Sequence, residues 1–216
     1  MSVPSHEPPP PGNALTPEMS LMPSRVSCVS ETLLIIDGHS MAFRAFYALP
    51  ADNFQANGQH TNAVYGFVSM LVKQLEDEKP DRIAVAFDLS RHSFRTEEYP
   101  EYKGTRGETP PEFKGQIELI QEILVAMGIP SLTKENYEAD DILATLATEG
   151  ASRGWRVLVA SGDRDTFQLV NDHVTVLYPG QRATDLRHMT PEAIEAVCER
   201  MIPGFGELFR QLSYES

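Results

Sequence analysis

Acidic residues stand at the ends of three apolar runs in this chain. Leu33 to Ile36 leads into Asp37-Gly38, Ile83 to Phe87 into Asp88, and Val157 to Ala160 into Ser161-Gly162-Asp163-Arg164-Asp165. A fourth group, Glu138-Ala139-Asp140-Asp141, opens a stretch in which Ala139, Ile142, Leu143 and Leu146 recur at helical spacing. Two unit charges about 4 Å apart repel by about 4 kcal/mol at an effective dielectric near 20. Carboxylates gathered in one pocket therefore either raise their pKa values or recruit cations. All-oxygen donors suit Mg²⁺ or Mn²⁺. A pair of such ions lowers the pKa of an attacking water and stabilises the leaving oxygen, which suits phosphodiester hydrolysis and needs no nucleophilic side chain. Taken singly, each acid also has a structural reading. Asp37 and Asp88 are turn residues; Glu138, Asp140 and Asp141 are first-turn acids favoured by the helix dipole; Asp165 is an N-cap for Thr166 to Val170. Only convergence separates the two readings, and convergence requires a scaffold.

The apolar runs supply one. Leu33 to Ile36, Ile83 to Phe87, Val157 to Ala160 and Val174 to Tyr178, with a weaker candidate at Ile129 to Leu132, read as short buried strands. Segments of helical period lie between them. Val64, Phe67, Leu71 and Leu75 mark one helix, and Ile117, Ile120, Leu124 and Met127 a second, opened by Pro110-Pro111-Glu112. Met70 and Met127 are read as packing residues on these faces. The pattern predicts an α/β domain with a mainly parallel central sheet flanked by helices, whose ligand crevice lies at the carboxyl ends of the strands. About 100° per residue puts Glu138 and Asp140 on the borders of the buried helix stripe and Asp141 nearly opposite. His39 is a turn residue or lies behind the carboxylates, and Trp155 is core.

Composition bounds the rest. The 216 residues carry a net charge of −13 and are 41% hydrophobic, enough for one domain with a sizeable core and against a generally basic surface. Cys28 and Cys198 form no disulfide framework or zinc pattern, so the chain reads as reduced and cytoplasmic. No apolar run is long enough for a membrane span, and no signal peptide is visible. With no GxxxxGK[ST], GxGxxG or GxSxG element, nucleotide cofactors and serine hydrolysis are not indicated. Residues 1–31 hold seven of the sixteen prolines and read as a disordered leader. After Asp88, the stretch Arg91 to Arg106 mixes cations with aromatics, as a phosphate-gripping, base-stacking element would.

Several segments together resemble the 5′-to-3′ exonuclease domain of bacterial DNA polymerase I, a relative of the flap endonucleases and PIN-like nucleases. They are Leu34-Ile35-Ile36-Asp37-Gly38-His39-Ser40, Asn62-Ala63-Val64-Tyr65-Gly66-Phe67, Ala86-Phe87-Asp88, Phe94-Arg95 with Tyr99-Pro100-Glu101-Tyr102-Lys103 and Arg106, Tyr137-Glu138-Ala139-Asp140-Asp141, and Ser161-Gly162-Asp163-Arg164-Asp165. The similarity runs in the family's order over residues 32–197. It implies a PIN-like α/β fold with a helical arch and a 5′-3′ exonuclease or flap endonuclease. Such an enzyme uses two divalent ions, Mg²⁺ or Mn²⁺, to cut DNA at a 5′ flap, a nick or a 5′ end during replication and repair. By the same resemblance Asp37, Asp88, Glu138, Asp140 and Asp163 serve a first metal, with Asp141 nearby and Asp165 at a second. Lys103 and Arg106 act beside the scissile phosphate, and Arg44, Arg95 and Tyr102 join them in holding DNA. The family's later aspartate-rich segment and helix-hairpin-helix are not found here. No aspartate follows Asp185, so the second-metal set is expected to be incomplete and activity impaired, the alternative being an inactive remnant that only binds branched DNA or a gene fragment. Residues 198–216 are expected to be an unmatched tail; Ile202 to Arg210 resembles a short segment of molybdopterin-biosynthesis proteins of the MoaB/MogA type.

Overall fold

The computed structural model describes residues 30–89, 109–180 and 186–194. Most of the expected leader, the stretch carrying Arg95, Tyr102, Lys103 and Arg106 with the expected helical arch, and the expected tail lie outside these residues.

One mixed sheet organises the chain. Its strands are β1 (Thr32–Asp37), β4 (Arg82–Ala86), β5 (Ser131–Leu132), β6 (Arg156–Ala160), β7 (Val174–Pro179) and β8 (Leu186–Met189); β2 (Gln55–Ala56) and β3 (Gln59–His60) form a separate antiparallel pair. The order across the sheet is β5-β4-β1-β6-β7-β8. All neighbours run parallel except β7 and β8. The chain winds outward from β1 to β4 and β5, then crosses to β6 on the other side, so the strand order reverses beside β1. In open α/β sheets the crevice at such a reversal is where ligands bind.

Alternation along β1 divides the core in two. Leu34 and Ile36 face α1 (Gly38–Ala48), α2 (Asn62–Glu78) and α3 (Gln116–Ala126), joined there by Phe67, Leu71, Ile120 and Leu124. Leu33 and Ile35 face the other way, toward Ala139, Leu143 and Ala147 of α4 (Ala139–Ser152). With both faces covered, the strands must be nearly all apolar.

A fully buried amide pair ties three helices together. The Gln116 side chain accepts from the Ala63 and Val64 backbone N–H groups at 2.8 and 3.2 Å and donates to Asn62 Oδ1 and the Glu112 carbonyl, both at 2.9 Å. Asn62 Nδ2 in turn donates to carbonyls at the C-terminal end of α1, that of Phe46 in its last turn and that of Leu49 just past it. These amides satisfy helix-terminal groups that have no partner within their own helices. Beside them Phe113 stacks on Phe43 with ring centroids 4.3 Å apart.

The expected strands are all present, each within two residues of its expected bounds. Two local expectations are corrected and a third is refined. Pro110-Pro111-Glu112 leads into a 3₁₀ turn (Pro111–Phe113), and α3 starts later, at Gln116 behind Gly115. Met127 caps α3 and is 42% exposed, because the helix ends before its side chain turns inward; Met70 is buried as expected. Trp155 packs against the core as expected but is only half-buried, with the Arg82 and Arg153 guanidinium groups 4.9 and 5.2 Å from its ring centre, a cation–π arrangement.

Candidate active site

The carboxyl ends of β1, β4 and β6 and the start of α4 come together at one edge of the sheet, and with them come the acids of the sequence pattern. Asp37 ends β1 and caps α1: its Oδ1 accepts from the Ser40 backbone N–H at 2.9 Å. Its Oδ2 accepts from the Ser161 hydroxyl, just past β6, at 3.0 Å. The same Ser161 Oγ accepts from the Asp163 N–H at 3.1 Å, so one hydroxyl connects the carboxylate of β1 to the loop that carries the acids of β6. Asp163 caps the 3₁₀ turn Arg164–Leu169 by accepting from the Asp165 N–H at 2.9 Å, which makes Asp163, rather than Asp165, the cap of that turn.

Asp88 follows β4. Its Oδ1 accepts from the Ala139 N–H at 2.6 Å, docking the first turn of α4 onto the end of β4. Its own N–H donates to His39 Nδ1 at 3.2 Å, and the His39 ring meets Phe87 edge-on, which places His39 behind the carboxylates as a supporting residue.

At α4 the periodicity argument is partly overturned. Of the two acids expected on the borders of the buried stripe, Glu138 is buried and Asp140 exposed, while Asp141, expected on the far side, is half-buried. Glu138 is not a helical residue. It is the N-cap, with extended backbone, and Asp141 reaches back to accept from its N–H at 3.0 Å, closing a reciprocal capping box. Extrapolating 100° per residue through a cap misplaces the residues beside it. Asp163 is half-buried and Asp165 exposed. Arg44 lies on α1, with a guanidinium nitrogen 3.5 Å from the Gly180 carbonyl beyond β7.

Asp37 dominates the electrostatics. It is only 7% exposed, and burial, reinforced by the charge of Asp88, pushes its carboxyl above the usual range against the lowering effect of its hydrogen bonds to Ser40 and Ser161. An acid held against its own desolvation cost, beside a second acid, with the Ser161 hydroxyl on one oxygen and the His39 ring close by, has the character of a divalent-cation site. Among the described residues no three Asp, Glu, His or Cys side chains converge closely enough to enclose an ion; what the structure brings together is the strand ends and their hydrogen-bonded backbones. The supporting residues Ser40 and Ser161 were not singled out from sequence, although Asp-Gly-His-Ser and Ser-Gly-Asp set hydroxyls two or three positions from the acids.

Residues 32–199 match a family model described as the 5′-3′ exonuclease N-terminal resolvase-like domain. The chain belongs to this family. It is 53% identical over 181 residues to DNA polymerase I of Mycobacterium tuberculosis, covering 82% of this chain and 20% of that protein. It is 47% identical over 163 residues to DNA polymerase I of Bacillus subtilis, covering 76% of this chain and 18% of that protein. This member of the 5′-3′ exonuclease family thus spans about a fifth of the length of the curated relatives it matches. A structure of bacteriophage T5 5′-exonuclease with zinc ions bound superposes with a TM-score of 0.55 at 22% identity, covering 77% of this chain and 60% of that one. A T5 flap endonuclease complex with DNA and metal ions gives the same score at 20% identity, with the same coverage. The fold is that of the PIN-like 5′ nucleases.

Proposed function

We propose that residues 32–197 form a 5′ nuclease domain that hydrolyses phosphodiester bonds of DNA at 5′ flaps, nicks or 5′ ends in replication and repair, in the cytoplasm and without a nucleotide cofactor. Residues 1–31 form a leader before it and residues 198–216 a tail after it. The observation that carries the reading is the assembly of Asp37, Asp88 and the Ser161–Asp165 loop at the strand-order reversal of a chain whose family is the 5′-3′ exonuclease domain. The metal ions and DNA present in structures of the T5 relative support a divalent-metal-dependent, DNA-binding domain here.

Asp37, Asp88, Glu138, Asp140 and Asp163 would hold one ion, Mg²⁺ or Mn²⁺, with Asp141 beside them and Asp165 serving a second. Divalent cations there would supply the positive charge that lets an acidic edge accept a phosphodiester and activate water against it. The chain's own residues do the positioning. Ser40 and Ser161 hold both oxygens of Asp37, and the Ala139 N–H holds Asp88, so these two carboxylates are fixed by the chain's own groups. Arg44, Arg95, Tyr102, Lys103 and Arg106 would hold the DNA strand, with Lys103 and Arg106 nearest the reacting phosphate. Bound cations also resolve the charge problem: a net charge of −13 repels a polyanion until the acidic edge is neutralised.

The test is incubation of the purified chain with 5′-flap and nicked duplex DNA in Mg²⁺ or Mn²⁺ and in EDTA. Metal-dependent release of 5′ fragments is expected. Retention of DNA with no cleavage in either metal would replace the nuclease by a branched-DNA binder.

A further inference from the structure

The loop that carries Asp163 and Asp165 touches the start of α1 at a point that the carboxylates do not account for. The Gly162 N–H donates to Ser40 Oγ at 2.9 Å, while the Ser40 N–H holds Asp37 Oδ1 at 2.9 Å. Ser40 therefore grips both sides at once, the acid of β1 through its backbone and the acidic loop of β6 through its hydroxyl. Gly162 is fitted to this contact, since a Cβ there would stand 2.8 Å from Ser40 Oγ. Next to it runs the second link, from Asp37 through Ser161 Oγ to the Asp163 N–H. Ser161 binds the loop where it leaves β6, and Ser40 binds it one residue further on, toward Asp163.

We propose that Ser40 is a positioning residue of the metal site: its hydroxyl latches the Gly162–Asp165 loop onto the first turn of α1, fixing Asp163 and Asp165 relative to Asp37. The proposal rests on the metal reading above. Without the latch the Gly162 N–H loses its partner, and of the two side-chain links from the loop to the Asp37 end of β1 and α1 only that through Ser161 remains. Its acids then spend less time in ligating geometry, and cation affinity falls, as it does when groups orienting metal ligands are removed, by about 10–100-fold.

The experiment measures two quantities on wild type, Ser40→Ala and Ser40→Thr: Mn²⁺ binding by calorimetry, and exchange of the Gly162 amide by NMR in metal-free buffer. Ser40→Ala is expected to bind Mn²⁺ at least tenfold more weakly and to lose at least tenfold in Gly162 protection. Ser40→Thr, which keeps the oxygen, is expected to stay within threefold of wild type in both. Gly162→Ala, which breaks the contact from the other side, is expected to match Ser40→Ala, and the double variant to lose nothing more, since both remove one interaction. If wild type binds Mn²⁺ and Ser40→Ala binds it equally well, the latch is refuted while the metal site stands. If wild type binds no Mn²⁺, the metal reading fails and the latch with it. Unchanged Gly162 exchange in Ser40→Ala would also overturn the proposal.

Discussion

Replacing Asp37 by Asn is expected to make the metal-free protein more stable at neutral pH while removing its response to divalent cations. Burial and Asp88 raise the Asp37 pKa in the folded state, so the native protein holds a proton that the unfolded chain gives up near pH 3.9. The contribution of Asp37 to stability is therefore fully present below that value and lost as pH rises through the folded pKa. Asn is isosteric and never ionises. Its oxygen still accepts from the Ser40 N–H, and its amide can donate to Ser161 Oγ, which has a lone pair to spare beyond the one used by the Asp163 N–H. Substitutions that relieve a strained functional site commonly gain about 0.5–2 kcal/mol, which for a domain of this size is about 1–8 °C in Tm. The fluorescence of Trp155, the one tryptophan, follows unfolding between pH 4 and pH 8 in EDTA. The advantage of Asp37→Asn should vanish near pH 4 and grow toward pH 8. Mn²⁺ at about 100 times its Kd should then raise the wild-type Tm by about 5–11 °C, corresponding to about 2.7 kcal/mol, with a much smaller rise in the variant. A variant less stable than wild type across the whole pH range, with an undiminished Mn²⁺ response, would refute the assignment of Asp37 as a strained ligand.

Gln116→Ala leaves the Asn62 oxygen and the Ala63 and Val64 amides of the buried joint without partners, and is expected to cost about 3 kcal/mol, read as a lower urea midpoint at unchanged slope. Gly38→Ala would drive a Cβ into the Phe87 ring and should destabilise, with most of the loss recovered when Phe87→Leu is added; an additive double mutant would contradict the close contact. Substituting both Lys103 and Arg106 is expected to flatten the salt dependence of DNA binding by up to about two units of slope, at about 0.9 per phosphate contact; an unchanged slope would remove them from the DNA interface.

Much of this was legible in the sequence because the strands are buried on both faces: Leu34-Ile35-Ile36 and Val157-Leu158-Val159 can scarcely be anything else, and their acidic ends mark the carboxyl edge of the sheet. What escaped has physical reasons. α1 holds Phe43, Phe46 and Tyr47 as well as its buried Met41, Ala42 and Ala45, so it shows no clean polar face to reveal its period. The β2–β3 hairpin was announced by Asn57-Gly58, both at positive φ, but its strands are two residues long and too short to show alternation. β8 is exposed at its central Arg187 and His188, as an edge strand is, and lacks the apolar signature of its neighbours. At the site, residue types were readable and orientations were not. Asp37, a turn residue in the structural reading, is a helix cap and at the same time the buried acid of the functional one, one oxygen serving each neighbour. Asp140 and Asp141 exchange their expected exposures because capping, rather than helical period, sets the first turn.

The measurement that bears most directly on the acidic edge as the centre of a nuclease is single-turnover cleavage of a 5′-end-labelled flap by wild type and Asp163→Ala, each in Mn²⁺ and in EDTA. Cleavage is predicted for wild type in Mn²⁺ alone, with a rate at least a hundredfold above Asp163→Ala. Equal rates for the two proteins, or cleavage that persists in EDTA, would contradict it.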